Sequence, residues 1–234
     1  MKKVILLFLT VFTLQSCAEL QAIASQLPQG GPLSQADIGN GLRQALNKGV
    51  TQEVSKLSAT DGFFRNEAVK ILLPQELQEV DNGLRKIGLG SIADEGLKLL
   101  NRAAEEATKE ALPIFVDAVK DITFADAKNI LLGDQRAATS YLESKTQREL
   151  YNKFSPVIDN NLSKVGATKL WSDAITRYNQ IPLLNDVNPD LRDYVTQKAL
   201  EGVFKMIAKE EIEIRTQVNE RTTDLLKRVF ALQD

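Results

Sequence analysis

Between Ser91 and Asp121 the apolar residues Leu97, Leu100, Ala104, Ala107, Ala111, Ile114, Phe115 and Val119 recur at three- and four-residue intervals. That spacing puts them on one face of a helix. Similar spacing runs through most of the chain, and no stretch alternates apolar and polar residues convincingly as a half-buried strand would. The sequence therefore predicts an all-α fold. Connections are short, so we expect a single compact domain of about 8–10 helices with antiparallel neighbours.

Start and stop signals divide this domain. Ser34 caps a helix through about Leu57 with Asp37 in its first turn, against the weakening effect of Gly39, Gly41 and Gly49. A loop around 58–66 follows, with Asn66 capping a short turn. Pro74 opens a helix to Ile87 that Gly88 and Gly90 end. Pro113 should kink or divide the segment beginning at Ser91. Thr123 caps a short helix with Asp126 three residues on, Gly133 stops it, and Asp134 starts the next. Thr146-Gln147-Arg148-Glu149 reads as a capping box opening a helix toward Val165, interrupted by Pro156 and ended by Gly166. Residues 167–179 form another helix. Asn188-Pro189 reads as an N-cap and first-position proline for a helix to about Gln217. A last helix covers 221–232.

Composition removes several functions. The 234 residues carry 29 basic and 31 acidic side chains, a formal charge of −2. Nucleic-acid binding wants a clustered basic face, so no nucleic-acid partner is expected. Histidine is absent, which removes the commonest general base and the commonest metal ligand. A Ser-His-Asp or Cys-His arrangement is impossible. No HExxH, phosphate-binding glycine loop or dinucleotide fingerprint occurs, and no metal or cofactor is implied.

The single cysteine, Cys17, follows a basic start (Lys2, Lys3) and an apolar run over 4–14. That run is too short for a bilayer span of about 20 residues and fits a signal peptide. Leu14-Gln15-Ser16-Cys17 resembles the lipobox of bacterial lipoproteins, with Gln15 departing from the usual small or apolar residue. The resemblance implies diacylglyceryl transfer to the Cys17 sulfur, cleavage before it, and N-acylation. Each buried CH2 contributes about 0.8 kcal/mol, so two or three acyl chains hold a protein on a membrane. Ala18 after the cysteine favours the outer membrane by resemblance to lipoprotein sorting in didermic bacteria. The expected organisation is a signal peptide over 1–16, the lipidated cysteine and a Pro/Gly-containing flexible tether over 17–33, and a helical domain over 34–234. Loss of Lys2 and Lys3 with the leader takes the formal charge from −2 to −4, which gives no electrostatic pull toward anionic lipid.

Five stretches carry a second resemblance: NRAAEEA (101–107), TFADAKNILLG (123–133), KTQRELYNKFSPVI (145–158), YVTQKALEGVFKMIAKEE (194–211) and RTTDLLKRVF (221–230). Their content and order resemble a bacterial envelope family known as domain of unknown function 4197. The resemblance covers residue 34 to the end and implies an all-helical exported domain. It implies no activity and transfers no catalytic residue.

Among candidate sites, Lys145, Arg148, Tyr151 and Lys153 cluster near an expected helix start, where backbone N–H groups favour an anion or lipid headgroup. Surface solubility is the plainer reading. Arg102, Glu105 and Glu106 read as a solvated helix face with Glu106 the i+4 partner of Arg102. The stretch AKEEIEIR (208–215) also reads as a solvated face. The oxygens of NDVNPD (185–190) fit loop and cap chemistry better than a cation site, because the rest of an EF-hand pattern is missing. Trp171 and Tyr178 read as core anchors. The leading expectation is a non-enzymatic lipoprotein, held on the membrane through Cys17, that meets an envelope protein partner. One alternative is a binding protein with an apolar or anionic small molecule between helices, which needs a cavity of a few hundred Å3 or more. The other is a histidine-free hydrolase, which needs two buried acids about 5–10 Å apart in a cleft.

Overall fold

A computed structural model describes residues 33–74, 90–182 and 186–232, with isolated positions between 75 and 89. Cys17, the expected leader, nearly all of the expected tether and most of the helix expected over 74–87 lie outside the described residues. Eight α-helices and no strand occur among the described residues: α1 (Gln35–Ser58), α2 (Gly90–Thr108), α3 (Ala111–Lys120), α4 (Phe124–Leu131), α5 (Ala137–Ser163), α6 (Ala167–Tyr178), α7 (Leu191–Thr216) and α8 (Asp224–Phe230). The all-helical expectation holds. None of these helices is long and apolar enough to cross a membrane.

The packing follows from two long helices that share the same neighbours. α1 packs on α2, α3, α4 and α7, and so does α5. α8 closes against α1, and α6 lies against α5 and α7. α1 buries Leu42, Ala45, Leu46, Val50, Val54 and Leu57, the i, i+3, i+4 stripe that its sequence carries. Its glycines do not break it, because they serve contact: a Cβ on Gly41 would meet Val229 Cγ2 at 2.7 Å, so α8 lies directly against the α1 backbone. α5 buries Leu142, Leu150, Phe154, Ile158 and Leu162. Phe63, Phe115 and Phe154 are fully enclosed, and Phe115 meets Phe204 of α7 edge to face at 5.8 Å. The described residues from Gln35 onward belong to one compact unit.

The expected boundaries hold in several places. The division near Pro113 falls at Lys109 and Glu110, so the proline occupies the first turn of α3, where its missing N–H has no intrahelical role. Thr123 and Asp126 form the full reciprocal capping box. Gly166 takes φ +72° between α5 and α6.

Others move. α5 starts at Ala137, and Asp134 instead accepts the Arg136 N–H at 2.8 Å, a local turn. Thr146 caps nothing. It is buried in mid-helix, where its hydroxyl donates to Leu142 O at 2.7 Å. Such a back-bonded threonine has the same sequence pattern as a cap. Pro156 lies inside α5 without interrupting it. The proline is exposed, and water can satisfy the carbonyl its missing N–H leaves free. The cap of α7 is Asp190, whose side chain accepts from Asp193 N, while Asn188 accepts from Asp190 N one turn earlier. α8 begins after Thr223 rather than at Arg221. The Arg221 guanidinium is buried and donates to Ile214 O and Arg215 O, closing the end of α7.

Candidate functional site

Two open grooves run between α5 and α7. One, about 520 Å3, is walled by Glu143, Gln147, Arg148 and Tyr151 of α5 and by Gln197 and Glu201 of α7, over Leu200 and Phe204. The other, about 630 Å3, adds Arg136, Lys205, Lys209 and Glu213 around Ala208 and Ile212. Glu143, Glu201 and Phe204 line both, so the two share walls. The rim carries both charge signs above an apolar floor. Such a surface suits a chain that presents apolar anchors between charged residues.

The cluster expected around Lys145 is not gathered here. Its helix-start ground is absent, because residues 145–153 lie in the middle of α5 with their backbone N–H groups inside the helix. Lys145 lies over the Tyr141 ring at 5.6 Å and lines a separate cleft with Asp121, Asp126 and Glu149. Arg148 and Tyr151 line the groove instead, and Lys153 is exposed. The Tyr151 hydroxyl donates to Asp193 Oδ1 at 2.6 Å, which raises its own pKa and sets a carboxylate beside any incoming anion.

Asp193 is bonded by two residues that line the groove, Tyr151 and Gln197. Asn188 Nδ2 donates to its Oδ2 at 2.6 Å and Gln197 Nε2 donates to the same oxygen at 2.8 Å. Burial pushes this carboxyl up, but the bonds from Tyr151, Gln197 and Asn188 outweigh it and hold the pKa below the ordinary carboxylate range. The oxygens of Asn188 and Asp190 are engaged in caps and turns, which agrees with the loop reading of 185–190 where it is described. Trp171 is half-buried rather than enclosed in the core. It stacks on Tyr194 at 5.9 Å with 21° between planes and donates to Asn188 O at 3.0 Å. Tyr178 is likewise half-buried.

The buried acids are where sequence reasoning failed. Glu105 is enclosed, not solvated: Oε1 accepts from Phe63 N and Phe64 N at 3.1 Å each, and the Arg102 guanidinium bonds the other oxygen and Asp61. Glu106 pairs with Lys109 rather than Arg102. The stretch 208–215 buries Glu210, Glu211 and Arg215. Glu211 accepts from Ala138 N at 2.9 Å and from Thr139 N at 2.8 Å. It therefore supplies, from α7, the cap that Arg136 does not give α5. Arg215 donates to Ile130 O and Leu131 O at the end of α4. One ion pair thus meets the negative end of one helix and the positive end of the next. A signal existed in the sequence. Glu53, Glu210 and Glu211 fall on the same spacing as the apolar residues around them.

A family model described as a protein of unknown function (DUF4197) matches residues 32–231. The chain belongs to that family, as the resemblance read from its sequence implied. No curated protein and no solved structure matches the chain.

Proposed function

We propose that this protein is a bacterial envelope lipoprotein, anchored through Cys17 to the outer membrane, whose helical domain works without catalysis by binding another envelope protein along the α5–α7 groove. The observation that carries this reading is the groove itself: two contiguous openings of about 520 and 630 Å3 with an apolar floor and a rim of mixed charge. The anchor rests on the residues around Cys17.

The core supports a contact role over ligand storage. The apolar cavity beside Glu210 and Phe230 is about 30 Å3, room for about one water. A ligand enclosed in the core needs roughly ten times that or more, and the two larger grooves between α5 and α7 are open to solvent. The buried acids favour contact over hydrolysis too. Glu105 and Glu211 are engaged by backbone N–H groups, Glu53 is buried, and Glu210 and Glu211 meet only the cavity of about 30 Å3, which is too small for a substrate.

The anchor is tested by growing cells with labelled palmitate and separating membranes. Label and membrane association should both depend on Cys17. A Cys17→Ala protein that still carries label and stays with the outer membrane overturns the anchor.

A further inference from the structure

The α1–α7 interface contains two acids that nothing on the helix surfaces requires. Glu53 of α1 is 2% exposed and Glu210 of α7 is 4% exposed. Each has one oxygen bonded: Lys56 Nζ donates to Glu53 Oε1 at 2.6 Å, and Gln52 Nε2 donates to Glu210 Oε2 at 3.3 Å. Each has one buried oxygen without a partner, Glu53 Oε2 and Glu210 Oε1. The site is also shaped for Glu210. A Cβ on Gly49 would lie 3.2 Å from Glu210 Cγ, so the glycine of α1 makes the room that this side chain fills.

Two buried carboxylates in one helix interface are costly to keep charged without enough cations to pair them. The charged groups acting on Glu210 are Glu53, Lys56 and Lys48 from α1 and Glu213 from its own helix. Lys56 already serves Glu53, and Lys48 donates to Glu220 O at 3.4 Å. α8 and α5 present Phe230 and Ala138 to the adjoining cavity, and the Glu211 carboxylate on its wall is paired with Arg215. The neutral form of one acid removes one of the two buried charges.

We propose that Glu210, buried in the α1–α7 interface with its Oε1 unpartnered, retains a proton, making this contact a pH-sensitive latch. No covalent step is involved: the proton is held on the Glu210 carboxyl and leaves to water when the latch opens. Burial pushes the Glu210 carboxyl up, and the negative charge of Glu53 pushes it further, while Lys56 opposes both. The sign follows from a folded pKa above the unfolded one. The contribution is present in full below the ordinary carboxylate pKa and is lost as pH rises toward and through the raised value. Over that window the unfolding constant grows by up to about tenfold per pH unit.

The test compares the full chain with Glu210→Gln and Glu53→Gln variants. In the infrared spectrum we expect a protonated-carboxyl band that survives above the ordinary carboxylate range and is missing from Glu210→Gln. In denaturant titrations across pH, wild type should lose stability as pH rises over this window, and Glu210→Gln should lack that loss. Glu53→Gln should bring the band's titration down toward the ordinary range. If Glu210→Gln does not fold, the wild-type band decides alone, and its shift in Glu53→Gln assigns it. Water reaching the two free oxygens would leave both acids charged. Absence of the band above the ordinary carboxylate range therefore overturns the latch, as does a band unmoved by Glu53→Gln.

Discussion

Glu211 and Arg215 form an ion pair of 2.8 Å inside the domain, four residues apart on α7 and both buried. The pair holds the junction of α4 and α5, because Arg215 takes the last carbonyls of α4 and Glu211 takes the first N–H groups of α5. Removing one partner leaves a buried charge uncompensated and orphans the backbone groups it served. We expect Glu211→Ala to cost about 3–5 kcal/mol in chemical denaturation. Glu106→Ala, at an exposed pair with Lys109, should change stability by no more than about 0.5 kcal/mol.

That contrast marks the limit of what the sequence conveys. Helix identity, the break near Pro113, the Thr123–Asp126 box and the turn at Gly166 were legible because each is a local rule between residues a few positions apart. The placement of Glu105, Glu210 and Glu211 was not, because their partners are at Phe63, Gln52 and Ala138, far along the chain. A charged run reads as solvated until another helix is known to cover it. The cluster around Lys145 failed for a related reason. Thr146 has the spacing of a cap, and only the preceding turn of α5, which receives its hydroxyl, shows that it is not one. The groove was not legible at all, since it is made where α5 and α7 face each other.

Glycines separate close approach from propensity. A Cβ on Gly202 would sit 2.7 Å from Phe63 Cε1, and Phe63 is fully enclosed. Gly202→Ala should destabilise the domain by about 1–3 kcal/mol through overpacking. Gly96, exposed on α2, would meet nothing within 4 Å. Gly96→Ala should stabilise by about 0.5–1 kcal/mol, since only helix propensity changes. Urea denaturation of the two variants checks both signs.

Asp193 gives an acid-side dependence opposite to that of Glu210. Its folded pKa is held below the unfolded one, so its contribution is present above the ordinary carboxylate pKa and is lost as pH falls through the folded value. Tyr151→Phe removes the hydroxyl that donates to it. The variant should lose about 1–2 kcal/mol at neutral pH and show a smaller loss on acidification. Carboxyl carbon shifts across a pH titration should show Asp193 moving up toward its ordinary value.

Site-specific photocrosslinking in living cells tests the binding role most directly. A photoreactive residue is placed at Gln147 or Lys209, which line the groove from opposite helices, and as a control at exposed Lys120 on α3. We expect the same discrete adduct from both groove positions, none from Lys120, and a several-fold loss when Glu201→Arg reverses a charge shared by both openings. Equal adducts from all three positions, or no adduct from the groove, would contradict the account.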